Sequence, residues 1–582
     1  MNVVHVTHEA VEKIGGIGAV IAGLVTAEKY IQTVNRTILV GPLLNTDNPG
    51  EKRLGEHGRL IYSSLDQKQP AEWTEKFSPI ERTYDVGIIY GTRKIDEPCG
   101  GNEVEVEVLL VDVFHANQAR LNLFKGELFS KFGVPSHDFQ NVWEYEQYVR
   151  LAEPAMEALA AIGCDHGEDV LLLSHEYMGM PTALKAILDG RPNLKTVFYA
   201  HEVASVRPIV EKAEGHDTMF YNVLEAGQSQ GQYLEEIFPT VHANFKHPLV
   251  KAARYCDHVF AVGDFIVDEL RFLDRHFQTT EIDLVYNGIP AQSVTLEERL
   301  ASKQRMVDYA ERLVGWRPDW IFSHVARPVL SKGIWRDLRV LHEMEEGLTE
   351  RDERVVYFML GTLGGQRRPQ DIRQMERVYG WPVAHERGYP DLCGGEEILG
   401  DMFDAFNAEH ERSRVVLVNQ WDWNRQFCGE RMPEEMTFRD IRAGVDLEFG
   451  LSVYEPYGIS QFEALSFGAL CVVSNVCGCM GYARKAMAAG KEEYDNVIEG
   501  NFLHVEENLN IDALLNLSIS QRDRVESTEG RRLAGLILHR LARDEKTIQR
   551  RIETGYELAG RMSWEDVMEG YFLPSLGRAA AH

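Results

Sequence analysis

The stretch at 452–468, SVYEPYGISQFEALSFG, constrains this chain more than any other. Two acids, Glu455 and Glu463, stand eight residues apart, with Pro456 and Gly458 between them. An apolar run, DLEFGLSVY, leads in, and a second, ALCVVSN, follows. The pattern predicts strand, tight turn, helix, strand. Such a unit presents backbone N–H groups and a carboxylate at the mouth of a parallel sheet, where α/β proteins bind ligands. Ser460-Gln-Phe-Glu463 also has the spacing of a capping box, which leaves Glu463 a purely structural alternative.

The rest of the chain repeats the same alternation. VVHVTH followed by EAVEKIGGIGAVIAGLV reads as strand, glycine-rich loop, helix, with Gly15, Gly16 and Gly18 at the turn and Lys13 before it. Glycines there let the backbone approach a phosphate, although the pattern is neither GxGxxG nor a Walker loop. Strands ending in His175–Glu176 and His201–Glu202 place two His–Glu pairs where α/β sheets carry function. Neither pair belongs to an HExxH motif, which argues against a zinc protease. Arg327 and Lys332 flank a later strand-to-helix loop and suit a diphosphate, or are solvated loop charges. The βα repetition predicts a doubly wound parallel sheet in each half. Expected boundaries are 1–312, 313–560 and a final helix and tail at 561–582, with insertions at about 204–250 and about 361–440. The run 529–558 reads as one long charged helix carrying Arg540, Arg543, Arg550 and Arg551, a solvated face or an anion site.

Length and charge narrow the function. The chain has 582 residues, enough for two or three domains. A net charge of −29 disfavours nucleic acid or an anionic membrane as partner, so any phosphate ligand needs local cations. No apolar run reaches membrane-span length and the start reads as a short strand, so a cytoplasmic protein is expected. The eight cysteines lack CxxC spacing, and Cys477 and Cys479 read as small buried residues or surface thiols.

Several segments together resemble the glycogen synthase family, particularly its animal and fungal type. They are EAVEKIGGI (9–17), ILVGP (38–42), LFKGELFSKFGVPSHD (123–138), HEYMG (175–179), FYAHE (198–202), FYNVLEAG (220–227), YCDHVFAV (255–262) and YNGI (286–289). Arg327 and Lys332 match the family's Arg-x4-Lys, and YEPYGISQFEA its E-x7-E signature. The resemblance implies an α/β glycosyltransferase-B (GT-B) fold. Two Rossmann-like domains face a cleft, and the C-terminal helix crosses back to the N-terminal domain. It implies a retaining hexosyltransferase that moves glucose from UDP- or ADP-glucose to the non-reducing end of an α-1,4-glucan, with no metal and no cofactor. Another sugar acceptor, or a non-catalytic glucan-binding regulatory protein, stays open as an alternative.

Carried over by position, the resemblance makes Glu455, His201, Arg327 and Lys332 catalytic. Lys13, Gly15, Gly16, Tyr457, Gly458, Ile459 and Glu463 would bind the donor, with Glu463 on the ribose. Glu9, His175 and Glu176 would lie near sugar or acceptor. Arg540, Arg543, Arg550 and Arg551 would form an effector site, and a homo-oligomer is expected. Ala19 replaces the acid that bacterial-type members carry after the glycine loop, and NQWDWNRQF (419–427) is either a ligand platform or packing.

Overall fold

The structure, a computed structural model, describes residues 1–12, 15–45, 47–96, 102–164, 169–211, 216–490, 494–505 and 509–581. The protein is α/β and divides into two compact units, Met1–Pro208 with Leu224–Gly288 and Trp564–His582, and Ile209–Val223 with Ile289–Ser563. The division falls at 288/289 instead of near 312. Helix Leu296–Val314 buries Met306, Tyr309 and Ala310 in the second unit's core, so the stretch up to 312 goes with that unit. No helix among the described residues is long and apolar enough to cross a membrane.

Among the described residues the first unit holds a nine-stranded sheet. Its strands are β1 (Asn2–Val6), β2 (Arg36–Pro42), β3 (Gly58–Ser63), β4 (Gly87–Asp96), β5 (Glu103–Asp112), β6 (Val170–His175), β7 (Leu194–Ala200), β8 (His258–Ala261) and β9 (Ile282–Leu284). The order is β3-β4-β5-β2-β1-β6-β7-β8-β9. From β5 to β9 every pairing is parallel. The β3–β4 and β4–β5 pairings are antiparallel, so the sheet is mixed where the sequence reading expected a parallel one. A ten-residue β4 with its mate β5 forms a hairpin that leaves β3 on the edge. The C-terminal segment belongs to this unit. Trp564 lies against the backbone of Gly23 and Gly288, where any Cβ would meet its ring.

Among the described residues the second unit holds six strands, all parallel: β10 (Trp320–Val325), β11 (Val355–Leu360), β12 (Ser413–Val418), β13 (Leu447–Gly450), β14 (Leu470–Ser474) and β15 (Val497–Gly500). Their order, β12-β11-β10-β13-β14-β15, is the doubly wound arrangement that reverses direction between its first and fourth strands. Period-2 alternation divides the strand residues between two cores. Trp320, Phe322, Val355, Tyr357 and Met359 pack with Leu341 and Met344 of helix Ile334–Arg351 and with Leu533 and Ile537 of helix Ile519–Arg540. Ile321, Val356 and Phe358 pack with Met306, Tyr309 and Trp423 on the other face.

Three local expectations change. The interval 361–440 is no single insertion, because it contains the sheet strand β12 and the helices Pro369–Tyr379 and Gly395–Glu409. Trp423 is fully buried and its indole N–H points to the Met436 sulfur, so it packs; Trp421 is exposed. The charged run 529–558 is two helices, Ile519–Arg540 and Glu545–Gly560, and Asp544 caps the second by accepting the Thr547 N–H. An Asp one residue before a helical run stops the preceding helix and starts the next.

Candidate active site

In each sheet the strand order reverses at one place, and the strands flanking that place end in the loops that the sequence singles out. In the second unit these are β10 and β13. The loop after β10 carries Arg327 and Lys332, and the loop after β13 carries Glu455. The Ser331 carbonyl accepts the Val453 N–H (2.7 Å) and the Tyr454 N–H (3.2 Å), which stitches the two loops together. Gly333 closes the first loop in the left-handed region (φ +61°), and a Cβ there would overlap the Leu451 carbonyl. Across this junction the Lys332 ammonium donates to the Glu455 carboxylate, with side chains 21% and 13% exposed. Arg327 is exposed, and no ion pair or hydrogen bond engages its side chain among the described residues.

The acid loop itself rests on the first turn of helix Gly478–Ala489. The Gly478 N–H donates to the Glu455 carbonyl (3.1 Å) and the Cys479 N–H to the Tyr457 carbonyl (2.9 Å). Cys477 and Cys479 are buried beneath it, and burial pushes both thiols up. The expected α-helix after the turn does not form. Two short 3-10 turns, Ile459–Phe462 and Leu465–Phe467, take its place. Gly458 begins the first at φ +92°, where a Cβ would come 2.6 Å from Gln461 Oε1. The amides of Gly458, Ile459 and Ser460 have no backbone partner among the described residues and stay available to an anion.

Glu463 is not the arm of a capping box. Its carboxylate pairs with the buried guanidinium of Arg442, which also holds Glu448 Oε1 at 3.0 Å. Glu448, fully buried on β13, accepts the Ser323 hydroxyl and the Val325 N–H (3.0 Å) at the end of β10. Glu463 is thus fixed to the end of β10 through Arg442 and remains 27% exposed. Beneath the loop lies Arg336, fully buried. It is held by Asp217 (2.7 and 2.9 Å) and Glu526 (2.9 Å), and reaches the Ser452 carbonyl at 3.3 Å. His216 joins the same group, 2.8 Å from Asp217 Oδ1 and 3.0 Å from Glu526 Oε1. Burial opposes charge on His216, but the two carboxylates prevail and raise its pKa.

In the first unit the order reverses between β1 and β6. β1 feeds the glycine loop, β6 ends at His175 and β7 leads to His201. Glu9 is buried and accepts the Gly15 and Gly18 N–H groups, both at 2.9 Å. It therefore shapes the loop, and both its oxygens are engaged there instead of facing a sugar. Gly15 lies close to Glu9, whereas a Cβ on Gly16 would meet open space. Lys13 lies outside the described residues.

His175 is fully buried, so it touches no ligand. Its ring bonds His5 on one side (2.9 Å) and His201 on the other (2.8 Å). Only His201 of the three is partly open. Glu176 adopts φ +58°, unusual for a residue with a side chain. One carboxyl oxygen accepts the Glu202 N–H and the other is buried without a partner. Burial, then the charge of Glu202, pushes its pKa well above the carboxylate range, so it is held neutral.

The four arginines offered as an effector site do not form a free patch. Arg540 donates to the carbonyls of Asp495 and Val497, and Arg543 to those of Leu538 and Leu541 as well as to Glu353. Arg550 pairs with Asp495 (2.6 Å), and Arg551 is buried against the Arg540 carbonyl. Arg543 and Arg551 thus bond at the break between the two helices, and Arg540 and Arg550 bond to the segment 495–497. Among the described residues one group, Glu235, His242 and His247, has metal-ligand proximity. There Glu235 Oε1 already meets His247 Nε2 (2.9 Å) and the Lys251 ammonium (2.7 Å).

Sequence reasoning missed His5, Arg442 and Glu448. His5 and Glu448 are polar residues inside apolar strand runs, which was the available signal, whereas Arg442 lies on the short helix Phe438–Ala443.

No protein-family model matches the chain, and no curated protein sequence matches it. Solved structures with a similar arrangement include the catalytic domain of starch synthase IV from Arabidopsis thaliana bound to ADP and acarbose. It is 12% identical with a TM-score of 0.49, and the match covers 100% of each chain. A trehalose-6-phosphate structure from E. coli, bound with UDP-2-fluoro glucose, is 11% identical with a TM-score of 0.48 over 100% of this chain and 99% of that one. Sucrose-phosphate synthase from Thermosynechococcus elongatus is 12% identical with a TM-score of 0.48 over 99% and 98%.

Proposed function

We propose that this chain is a retaining glycosyltransferase of GT-B type that takes glucose from a nucleoside diphosphate glucose. We further propose UDP- or ADP-glucose as donor and the non-reducing end of an α-1,4-glucan as acceptor, as in glycogen synthases. The observation that supports this most is the junction of the β10 and β13 loops. Lys332 meets the Glu455 carboxylate there, Arg327 lies unengaged on the same β10 loop, and the β13 loop carries three amides without a backbone partner among the described residues, at the point where a doubly wound sheet binds ligands.

In this reading the two cations and the amides at Gly458 and Ile459 stabilise charge on the departing diphosphate. Glu455 holds sugar hydroxyls and stabilises positive charge growing at the anomeric carbon. Glu463, oriented by Arg442, takes the ribose hydroxyls. In the first unit His201 contacts sugar and the loop held by Glu9 provides close backbone approach at Gly15 and Gly16. Retention follows from front-face attack, with the leaving phosphate accepting the acceptor's proton. The reaction is expected to need no metal, so turnover should persist in a chelator.

The test is elongation of glycogen with radiolabelled UDP-glucose and ADP-glucose side by side. Transfer from either donor supports the reading. Donor binding by calorimetry without elongation redirects it to another acceptor or to a binding protein, and absence of both overturns it.

A further inference from the structure

Three imidazoles form an unbroken hydrogen-bonded row inside the first unit. Tyr30 Oη lies 3.3 Å from His5 Nε2, and His5 Nδ1 lies 2.9 Å from His175 Nε2. His175 Nδ1 lies 2.8 Å from His201 Nε2. Behind the row, Tyr30 Oη is 2.9 Å from Thr37 Oγ1. The rings lie nearly in line, with centroids 5.1 and 5.0 Å apart and interplanar angles of 29° and 11°. His5 and His175 are wholly excluded from water, and Tyr30 is almost so. Tyr199 and Phe572 flank the row, which excludes water from its sides.

Burial pushes His5 and His201 down to about 3, and pushes His175 well below the ordinary histidine range, so all three rings are neutral. A neutral imidazole has one N–H and one bare nitrogen. Every contact in the row joins a δ nitrogen to an ε nitrogen. The row is complete only if all three protons sit on the same kind of nitrogen. Were the rings mixed, two N–H groups or two bare nitrogens would face each other in a dry interior, an unmade bond costing about 1–3 kcal/mol.

We propose that His5, His175 and Tyr30 are positioning residues that set the tautomer His201 presents to the sugar. This rests on the reading of His201 as the sugar contact. The sense follows from the far end. With its hydroxyl proton turned toward the nearer Thr37 (2.9 Å, against 3.3 Å to His5), Tyr30 is left as an acceptor on the His5 side. His5 Nε2–H then donates to Tyr30, and all three rings carry the proton on Nε2. His201 Nδ1 faces outward as a bare acceptor, suited to a sugar hydroxyl.

The experiment labels the histidines of the full chain with 15N and reads ring tautomers by long-range proton–nitrogen correlation, assigning the three rings by single substitution. The wild type should show three Nε2–H rings. Tyr30→Phe leaves nothing to accept the His5 Nε2–H, so all three rings should move together to Nδ1–H, including His201 two rings away. Thr37→Val, a milder change at a half-buried site, should do the same by turning the Tyr30 proton toward His5. Mixed tautomers in the wild type, or a change confined to His5, would overturn the proposal. In the glucosyl-transfer assay both variants should lose about tenfold in kcat with donor KM within about twofold, the scale of one lost hydrogen bond. An unchanged kcat alongside shifted tautomers overturns the positioning role. The tautomer readout needs no substrate, so a chain that transfers from neither donor sinks the transferase reading without deciding the row.

Discussion

Replacing Glu455 by glutamine tests the junction most sharply. The amide keeps the shape of the side chain and removes the charge. In the resting protein that charge faces the Lys332 ammonium, and both side chains retain some solvent, 13% and 21%. Screening therefore keeps the net stability of the pair near about 1 kcal/mol or less. The effect on the transition state is larger. A unit positive charge developing about 4 Å from a carboxylate gains about 4 kcal/mol at an effective dielectric of about 20. At about 1.4 kcal/mol per factor of ten, Glu455→Gln should lower kcat about 10²- to 10³-fold. Donor binding should move the other way. Without Glu455, Lys332 carries an uncompensated charge toward the diphosphate, so the nucleoside diphosphate should bind as tightly as to the wild type or more so. Steady-state transfer from labelled donor gives the first quantity and calorimetry with the nucleoside diphosphate the second. A kcat within about threefold of wild type would remove Glu455 from charge stabilisation. A tenfold loss of nucleotide affinity would refute the antagonism between Glu455 and diphosphate for Lys332.

Lys332→Ala should weaken nucleoside diphosphate binding about tenfold or more and lower kcat, while Lys332→Arg recovers part of the binding, read by the same calorimetry. Gly333→Ala introduces a side chain at φ +61° against the Leu451 carbonyl, and should cost at least about 1–2 kcal/mol in denaturant unfolding. Glu9→Ala strips two amides of their acceptor and should destabilise by about 1–3 kcal/mol, with a raised donor KM if the loop approaches the donor. The His216 group predicts a pH window. The raised pKa of His216 contributes stability that is complete below its unfolded value of about 6.5 and is lost as pH rises through the folded one. Burial raises Asp217 and Glu526, but Arg336 and His216 lower both overall. Their share is complete above about 4.5 and is lost as pH falls. Thermal unfolding should peak between those limits, and His216→Gln should flatten the alkaline side; an unaltered alkaline limb would rule out His216.

Much of the candidate site was legible because strand ends are legible. Alternation of apolar strands with helical runs placed Arg327, Lys332, Glu455, His175 and His201 at the C-terminal ends of strands, and the structure finds them there. The helix predicted after Glu455 failed because Gly458 starts a 3-10 turn and a second turn follows at 465–467. The Gln461 side chain lies against the backbone of Gly450 and Gly458 there, a tertiary contact that the helical spacing of SQFEALSF does not record. The long helix at 529–558 failed because Asp544 caps a new helix, and Arg540, Arg543 and Arg551 bond to carbonyls that helical periodicity does not record. The edge strand β3 was missed because GRLIYS is short and half polar.

The sequence alone determined which groups are present and on which loops, because periodicity and turn residues act over a few positions. Only the tertiary structure decided their partners. Lys332 meets Glu455 across 123 residues, and His5 meets His175 across 170, because strand order sets β10 beside β13 and β1 beside β6. The same packing pairs Glu463 with Arg442, engages Glu9 with the Gly15 and Gly18 amides, and sets His175 between His5 and His201. A buried charge or imidazole must satisfy its hydrogen bonds wherever the fold brings a partner, and chain spacing does not encode that place.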